Sequence, residues 1–130
     1  MTKEFIYTKS APEPIGPYSQ AVKIKIGEAE FIYTSGQIAI NPRTSQVSGG
    51  DIKDQTHVVL ENIRAVLQSA GSDIANVVKT TVFLKDINDF SGMNEVYSEY
   101  FGETKPARST IEASRLPKDV KVMIEAVAVK

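Results

Sequence analysis

Alternating apolar and polar positions divide much of the chain into short strands. Residues 21–26 alternate apolar side chains with lysines, which is the pattern of a half-buried strand. Residues 28–35 predict a second strand, and a short apolar run over residues 4–8 predicts an edge strand. Residues 77–85 carry apolar side chains on both faces, so this strand is predicted to be central in the sheet.

Two further stretches have apolar residues at helical spacing. Asp51 is a suitable N-cap for the first helix, which is predicted to run to about residue 70. The second helix is predicted to begin at Asp86 or Asn88 and to end at Gly102.

The last part of the chain, residues 107–129, has two apolar-rich strands that flank a proline-containing turn. This pattern predicts an antiparallel hairpin. A register symmetric about the turn places a cation and a carboxylate opposite each other on one face of the sheet, within apolar sequence. The pairs predicted by this register are Arg108 with Glu125, Thr110 with Met123, and Glu112 with Lys121.

The order of elements is three strands, a helix, a strand, a helix and two strands. It predicts an α+β fold formed by one domain over residues 1–130, in which two helices pack on one face of a mixed β-sheet. If the strands at either end of residues 31–83 are parallel neighbours, their connection should cross over in the right-handed sense.

The final strand is apolar on both faces, although Glu125 interrupts one of them. Because the helices can cover only one face of the sheet, the other face needs a second partner. A closed homo-oligomer is the structural expectation. The alternative is that the proline-rich loop over residues 11–19 folds over this face within one chain.

Composition and charge exclude several kinds of site. There are 15 basic and 16 acidic residues and a net charge of −1, which argues against a strong electrostatic surface for nucleic acid. The absence of cysteine excludes a thiolate nucleophile, a disulfide and a Cys-ligated metal, and a single histidine excludes a His-rich metal site. No apolar run has the length of a signal peptide or of a membrane-spanning helix, so a soluble cytoplasmic protein is expected.

Arg108 and Glu125 are the strongest candidates for chemistry. The planar guanidinium of Arg108 could bind a carboxylate or phosphate at two points, and the Glu125 carboxyl could transfer a proton to or from water. The alternative is a structural ion pair at a subunit interface. Tyr18 in the proline-rich loop and Ser35 before Gly36 could equally serve turn formation and packing.

Asn94 on the second helix could be simply solvent-facing, and His57 is interpreted as a surface residue.

Several short motifs nevertheless occur together in a characteristic order, and with them nearly the whole chain resembles the RidA family, also called YjgF. They are Ile15-Gly16-Pro17-Tyr18-Ser19, Thr34-Ser35-Gly36-Gln37-Ile38, Asn88-Asp89-Phe90, Pro106-Ala107-Arg108-Ser109, Arg115-Leu116-Pro117 and the closing Ile124-Glu125-Ala126-Val127-Ala128-Val129.

The resemblance implies a chorismate-mutase-like fold, a homotrimer with sites between subunits, and cofactor-free hydrolysis of reactive enamines and imines. The implied substrates are 2-aminoacrylate and its tautomer 2-iminopropanoate, and the products are 2-oxo acids and ammonia. By resemblance, Arg108 binds the substrate carboxylate and Glu125 orients or activates water, while Tyr18, Ser35, Gly36, Asn94 and Thr110 line the site. Thr110 departs from the family, because many members carry cysteine there.

Two alternatives to the deaminase remain open. Some members of the family are described as endoribonucleases or translation inhibitors, although the near-zero net charge weighs against an RNA substrate. The same clefts could also bind small carboxylates without turnover.

Overall fold

Six strands form one mixed sheet in the computed structural model, which describes residues 1–130. Their order across the sheet is β1-β2-β3-β6-β4-β5. The predicted α+β class, with a mixed sheet and two helices, is confirmed. The strands are β1 Thr2–Ile6, β2 Ala21–Ile26, β3 Ala29–Thr34, β4 Val77–Leu84, β5 Ala107–Glu112 and β6 Val122–Val129.

The first helix, α1, spans Ile52–Ser69 and begins at the predicted cap. The Asp51 side chain accepts a hydrogen bond from the Asp54 amide, and the Asp54 side chain accepts one from the Asp51 amide. This reciprocal capping box satisfies two amides that the helix itself leaves unpaired. Gly71 follows the helix with φ +82°, which is the left-handed conformation that glycine adopts at low cost.

The second helix, α2, spans Phe90–Phe101 and therefore begins later than predicted. A 3₁₀ turn over Ile87–Asp89 precedes it, and the Asp86 side chain caps that turn by accepting a hydrogen bond from the Asn88 amide. Neither helix combines the length and the apolarity that crossing a membrane requires.

Both helices pack on the same face of the sheet, and the core lies between the two layers. The alternation along β6 decides which side chains face the helices, because every second residue of a strand points to the same side. The buried residues of β6 are Val122, Ile124, Ala126 and Ala128. Fully burying a side chain of the size of Val122 or Ile124 contributes about 1.5–3 kcal/mol.

The predicted hairpin over residues 107–129 is wrong. The strands β5 and β6 do not pair with each other, since β4 lies between them. Arg108 is paired with Thr80 of β4, and Glu125 with Thr81. The other two predicted pairs fail for the same reason: Thr110 lies beside Val82 and Met123 beside Phe83, while Glu112 lies beside Leu84 and Lys121 precedes β6.

The reason for this arrangement is that β4 is apolar on both faces and needs a paired neighbour on each edge. β5 lies parallel to it and β6 antiparallel, so β4 is central as predicted. The connection over residues 113–121 has to span two strand spacings, about 10 Å, which its length allows. Lys118 and Asp119 turn the chain there in the left-handed conformation, with φ 55° and 56°.

The strand–helix–strand unit with directly paired parallel strands is β4-α2-β5. The prediction considered instead the unit that connects β3 to β4 through α1. Those two strands are not neighbours, because β6 pairs antiparallel with both of them.

The face of the sheet opposite the helices is uncovered in one chain. We call it the open face, and define it by the rows of paired residues that contain Phe5, Tyr33, Glu125 and Ile111. All four of these side chains are exposed. The loop over residues 11–19 therefore does not cover this face, and the homo-oligomer stays a prediction.

Candidate functional site

Arg108 lies on the edge strand β5, and its side chain turns toward α2. Its guanidinium carbon lies 4.6 Å from the centre of the Tyr97 ring and 5.4 Å from that of Phe90. Nη1 donates a hydrogen bond of 2.8 Å to the Asn94 Oδ1 atom. Two aromatic rings and one amide thus hold the cation, which is a geometry that suits arginine better than lysine.

No carboxylate lies within ion-pair distance of Arg108. The guanidinium has five N–H donors, so most of its hydrogen-bonding capacity is free for a ligand. A cleft of about 420 Å³ lies beside it, and Lys105 and Arg108 are the only charged residues in its lining. The arrangement can bind a small anion at two points.

The Tyr97 ring, which lies against Arg108, is held in place by a hydrogen bond of its own hydroxyl. Its hydroxyl lies 2.7 Å from the buried Thr80 Oγ1 atom, so one of the two hydroxyls donates to the other. Burial raises the pKa of Tyr97, although the Thr80 hydrogen bond and the Arg108 charge act in the opposite direction. The phenol therefore stays neutral at neutral pH.

Thr110 lies two residues beyond Arg108 and on the same face of β5. Its Oγ1 atom is buried and has no hydrogen-bond partner within the chain. A buried hydroxyl without a partner costs about 1–3 kcal/mol, so a partner from outside the chain would be favourable here. The Thr110 hydroxyl thus joins Arg108 and Asn94 as a group that could meet a ligand.

Glu125 does not meet Arg108 within one chain. The register pairs Arg108 with Thr80 on the helix-covered face, and Glu125 with Thr81 on the open face. Glu125 is exposed and forms no ion pair, so neither a closed salt bridge nor a gap shared by the two side chains is present. The predicted apposition is wrong for the isolated chain.

A second cleft brings together other predicted site residues. Tyr18 and Gly36 both line a cavity of about 270 Å³, together with Met123 and Pro117. A Cβ atom on Gly36 would lie 2.9 Å from the Met123 Sδ atom, so this position requires glycine unless the methionine moves. Met123 lies on the open face, two residues before Glu125.

Ser35 directly precedes Gly36, and its hydroxyl proton is already used within the chain. It donates a hydrogen bond of 2.5 Å to the Ser19 carbonyl, next to Tyr18. The predicted substrate-binding group thus acts within the chain as a tie to the loop.

The predicted residues accordingly form two separate clusters. The cation cluster consists of Arg108, Asn94 and Thr110 beside α2. The loop cluster consists of Tyr18, Ser35, Gly36 and Glu125, where β6 meets the end of β3. Tyr97 and Phe90 lie on α2, and their contact with Arg108 had no sequence signal beyond aromatic residues near a candidate cation.

His57 is exposed at the helix layer, as predicted. Its Nδ1 atom lies 2.9 Å from the Tyr100 hydroxyl, which donates a hydrogen bond of 2.6 Å to Glu61. No group of three side chains suited to hold a metal ion is found.

The chain is similar to known proteins over nearly its whole length. The family model described as Endoribonuclease L-PSP matches residues 8–130. A RutC family protein of Pyrococcus abyssi is 58% identical over 130 residues, which cover 100% of this chain and 99% of the relative. Escherichia coli TdcF, provisionally named a reactive intermediate deaminase, is 44% identical over 98% of both chains.

Two solved structures are similar over nearly the whole chain. The crystal structure of E. coli TdcF with bound serine has a TM-score of 0.86 and 43% identity, and the match covers 98% of each chain. A protein of the conserved Rid family from Yersinia pestis has a TM-score of 0.91 and 49% identity, again over 98% of each chain.

Proposed function

Since the chain belongs to the endoribonuclease L-PSP family, which is the RidA or YjgF family, we propose that it hydrolyses small reactive enamines and imines to 2-oxo acids and ammonia. The family includes TdcF, whose name refers to a reactive intermediate deaminase and whose crystal structure holds serine. The observation in this chain that carries the proposal is Arg108, a half-buried arginine with no carboxylate partner beside an open cleft.

Arg108 suits the carboxylate of a 2-imino acid because its guanidinium can donate two parallel hydrogen bonds. The Tyr97 and Phe90 rings and the Asn94 amide already hold the cation, so little conformational entropy is lost on binding. The bound carboxylate then fixes the distance of the neighbouring imine carbon from the protein. The preferred substrates are 2-iminopropanoate and its close homologue 2-iminobutanoate.

The reaction needs a proton carrier and no oxidant. An enamine first becomes an imine by taking a proton on carbon and giving up a proton from nitrogen. Water then adds to the imine carbon: a C–O bond forms, the C=N electron pair moves to nitrogen, and nitrogen takes a proton. The carbinolamine then loses ammonia: nitrogen takes a second proton, the C–N bond breaks, and the hydroxyl gives up its proton as the C=O bond forms. One carboxyl group can accept the proton from water and later return it, and we assign this role to Glu125.

Glu125 and Arg108 lie on opposite faces of the sheet in one chain. The proposal therefore includes a site completed by two copies, in which the cation cluster of one copy meets the loop cluster of the next. The two clusters are different surfaces, so the contact would be heterologous, and such a contact forms a ring when the rotation between copies closes. A homotrimer is the proposed ring.

The test is to generate 2-aminoacrylate enzymatically and to follow its decay with the wild type and with Arg108→Ala. Two charge-assisted hydrogen bonds are each worth about 1.5–3 kcal/mol, so the variant should lose about 100-fold or more in kcat/KM. Arg43→Ala, which changes an exposed arginine outside both clusters, is the matched control and should retain full activity. Equal decay with Arg108→Ala and wild type would refute the assignment of Arg108.

The description of the family model supplies a second candidate, an endoribonuclease. A net charge of −1 gives little general attraction for RNA, so we rank this candidate lower. RNA cleavage that follows the protein through purification and is lost in Arg108→Ala would favour it. Binding of small carboxylates without formation of 2-oxo acid would instead favour a non-catalytic binding module.

A further inference from the structure

A buried glutamine at the start of β2 ties down the loop that carries Tyr18. Gln20 is 1% exposed. Its Oε1 atom accepts a hydrogen bond of 2.7 Å from the Thr8 amide. Its Nε2 group has two hydrogens and lies within hydrogen-bond distance of three carbonyls, those of Thr8 at 2.9 Å, Pro12 at 2.9 Å and Ala11 at 3.3 Å, so one hydrogen is shared. One side chain therefore closes the loop over residues 8–20 at its base.

A second tie fixes the other end of the same loop. The Ser35 hydroxyl donates to the Ser19 carbonyl at 2.5 Å, and the Ser35 amide donates to the Gln20 carbonyl at 2.9 Å. Tyr18 is thereby held between a side-chain anchor from Gln20 and a side-chain anchor from Ser35.

Within this frame the loop has few interactions of its own that would position Tyr18. The Tyr18 amide donates to the Gly16 carbonyl at 2.8 Å, and the Ile15 amide lies 3.4 Å from the Tyr18 hydroxyl. The Tyr18 side chain is half exposed in the second cleft. Its location relative to Gly36 and Glu125 thus depends on where the base of the loop is fixed.

We infer that Gln20 and Ser35 form a clamp that positions Tyr18 for the reaction, and that neither side chain binds substrate. The inference rests on the proposed function in one respect, that Tyr18 belongs to the site. It assigns a role to Gln20 and moves Ser35 from substrate binding to positioning, because its hydroxyl proton is already donated to Ser19.

Hydrogen exchange tests the clamp without reference to activity. Gln20→Met keeps the length of the side chain but removes its hydrogen bonds, so the hydrogen-bonded amides of this loop, those of Ser10, Ile15 and Tyr18, should exchange about tenfold faster or more through local opening. Gln55→Met is the matched control, since Gln55 is also buried and accepts one hydrogen bond from the Lys121 amide, which is not part of this loop. Unchanged exchange over residues 9–19 in Gln20→Met overturns the clamp.

A double-mutant cycle tests whether the clamp acts through Tyr18. Gln20→Met and Ser35→Ala should each lower kcat/KM about tenfold in the wild type, because a displacement of about 1 Å in a positioned group has effects of this size or larger. In a Tyr18→Phe background the same substitutions should change kcat/KM less than about twofold. Equal losses in the two backgrounds would show that the clamp does not act through Tyr18.

The two readouts separate this inference from the proposed function. If the wild type does not hydrolyse 2-aminoacrylate, the proposed function fails, whereas the exchange experiment still decides whether Gln20 fixes the loop. If the wild type is active and Ser35→Ala loses binding of a substrate analogue while exchange of the loop is unchanged, Ser35 is a binding residue and the clamp is wrong.

Discussion

Arg108 is held by two aromatic rings and an amide, where the predicted register had placed Glu125 opposite it. Because no carboxylate neutralises it, the guanidinium can still accept an anionic ligand. The aromatic support also relies on Tyr97, whose ring keeps its place through a buried hydrogen bond to Thr80. At the scale of single residues, the contribution of this hydrogen bond to stability can be tested directly by mutation.

Tyr97→Phe should destabilise the protein by about 1–3 kcal/mol, because it leaves the buried Thr80 hydroxyl without a partner. Thr80→Val in the same background removes that orphaned group, so the double variant should be less destabilised than the sum of the two single changes. Urea denaturation of the four proteins measures the coupling. Additive effects would contradict a direct hydrogen bond.

Three tyrosines have a raised pKa in the folded protein, and for the exposed Tyr7 the main cause is the hydrogen bond to Glu13. Burial raises the pKa of Tyr97, and burial followed by the hydrogen bond to Glu61 raises the pKa of Tyr100. A folded-state pKa above the unfolded value of about 10 means that the stability contribution is complete below pH 10 and is lost as the pH rises above it.

Absorbance of tyrosinate should therefore rise in two phases on alkaline titration, with the later phase accompanied by loss of stability. Tyr97→Phe and Tyr100→Phe should each reduce the later phase. A single phase near pH 10 that includes all five tyrosines would contradict the burial of these two phenols.

At the scale of elements, α1 and α2 approach each other closely where α2 carries a glycine. A Cβ atom on Gly92 would lie 2.6 Å from the Ile52 Cγ2 atom. Isoleucine is branched at Cβ and cannot easily move this methyl group aside. The glycine thus allows the contact between the two helices beside the cation cluster.

Gly92→Ala should be destabilising in spite of the better helix propensity of alanine. The propensity gain is about 1 kcal/mol, while overpacking costs about 1–3 kcal/mol, so a net loss of about 1 kcal/mol is expected. Ile52→Ala removes the clashing methyl group, and in that background Gly92→Ala should become neutral or stabilising. Thermal unfolding of the wild type and the three variants measures these differences in stability. Stabilisation by Gly92→Ala alone would contradict the close packing.

At the scale of the whole molecule, the open face distinguishes an isolated chain from an assembled one. Ile111, paired with Phe83, is 48% exposed on this face. An apolar sheet face of this kind is typical of a surface that packs against a partner. The proposed trimer would cover it and bring Glu125 to the cation cluster of a neighbouring copy.

Gel filtration with light scattering should report a mass of three chains for the wild type. Ile111→Lys should shift the protein toward monomer, because the buried interface would have to accept an unpaired charge. Val47→Lys, which changes an apolar side chain of similar exposure outside the six strands, should leave the trimer intact. A monomeric wild type with full deaminase activity would contradict the shared site.

The sequence by itself determined most of the local structure. Asp51 capped α1 where its spacing predicted, Gly71 followed that helix in the left-handed conformation, and the double apolar face of β4 predicted a strand with a paired neighbour on each side. These features depend on near neighbours in the chain. The motifs around Tyr18 and Arg108 were also sufficient to place the chain in its family.

Only the tertiary structure decided how the strands are ordered, and therefore which candidate residues meet. An antiparallel hairpin and two strands that flank a third share the same apolar pattern, because side-chain alternation does not identify the strand on the other edge. Inserting β4 between β5 and β6 separated Arg108 from Glu125. It also brought Arg108 to Tyr97 and Asn94, whose contact depends on how α2 returns across the sheet.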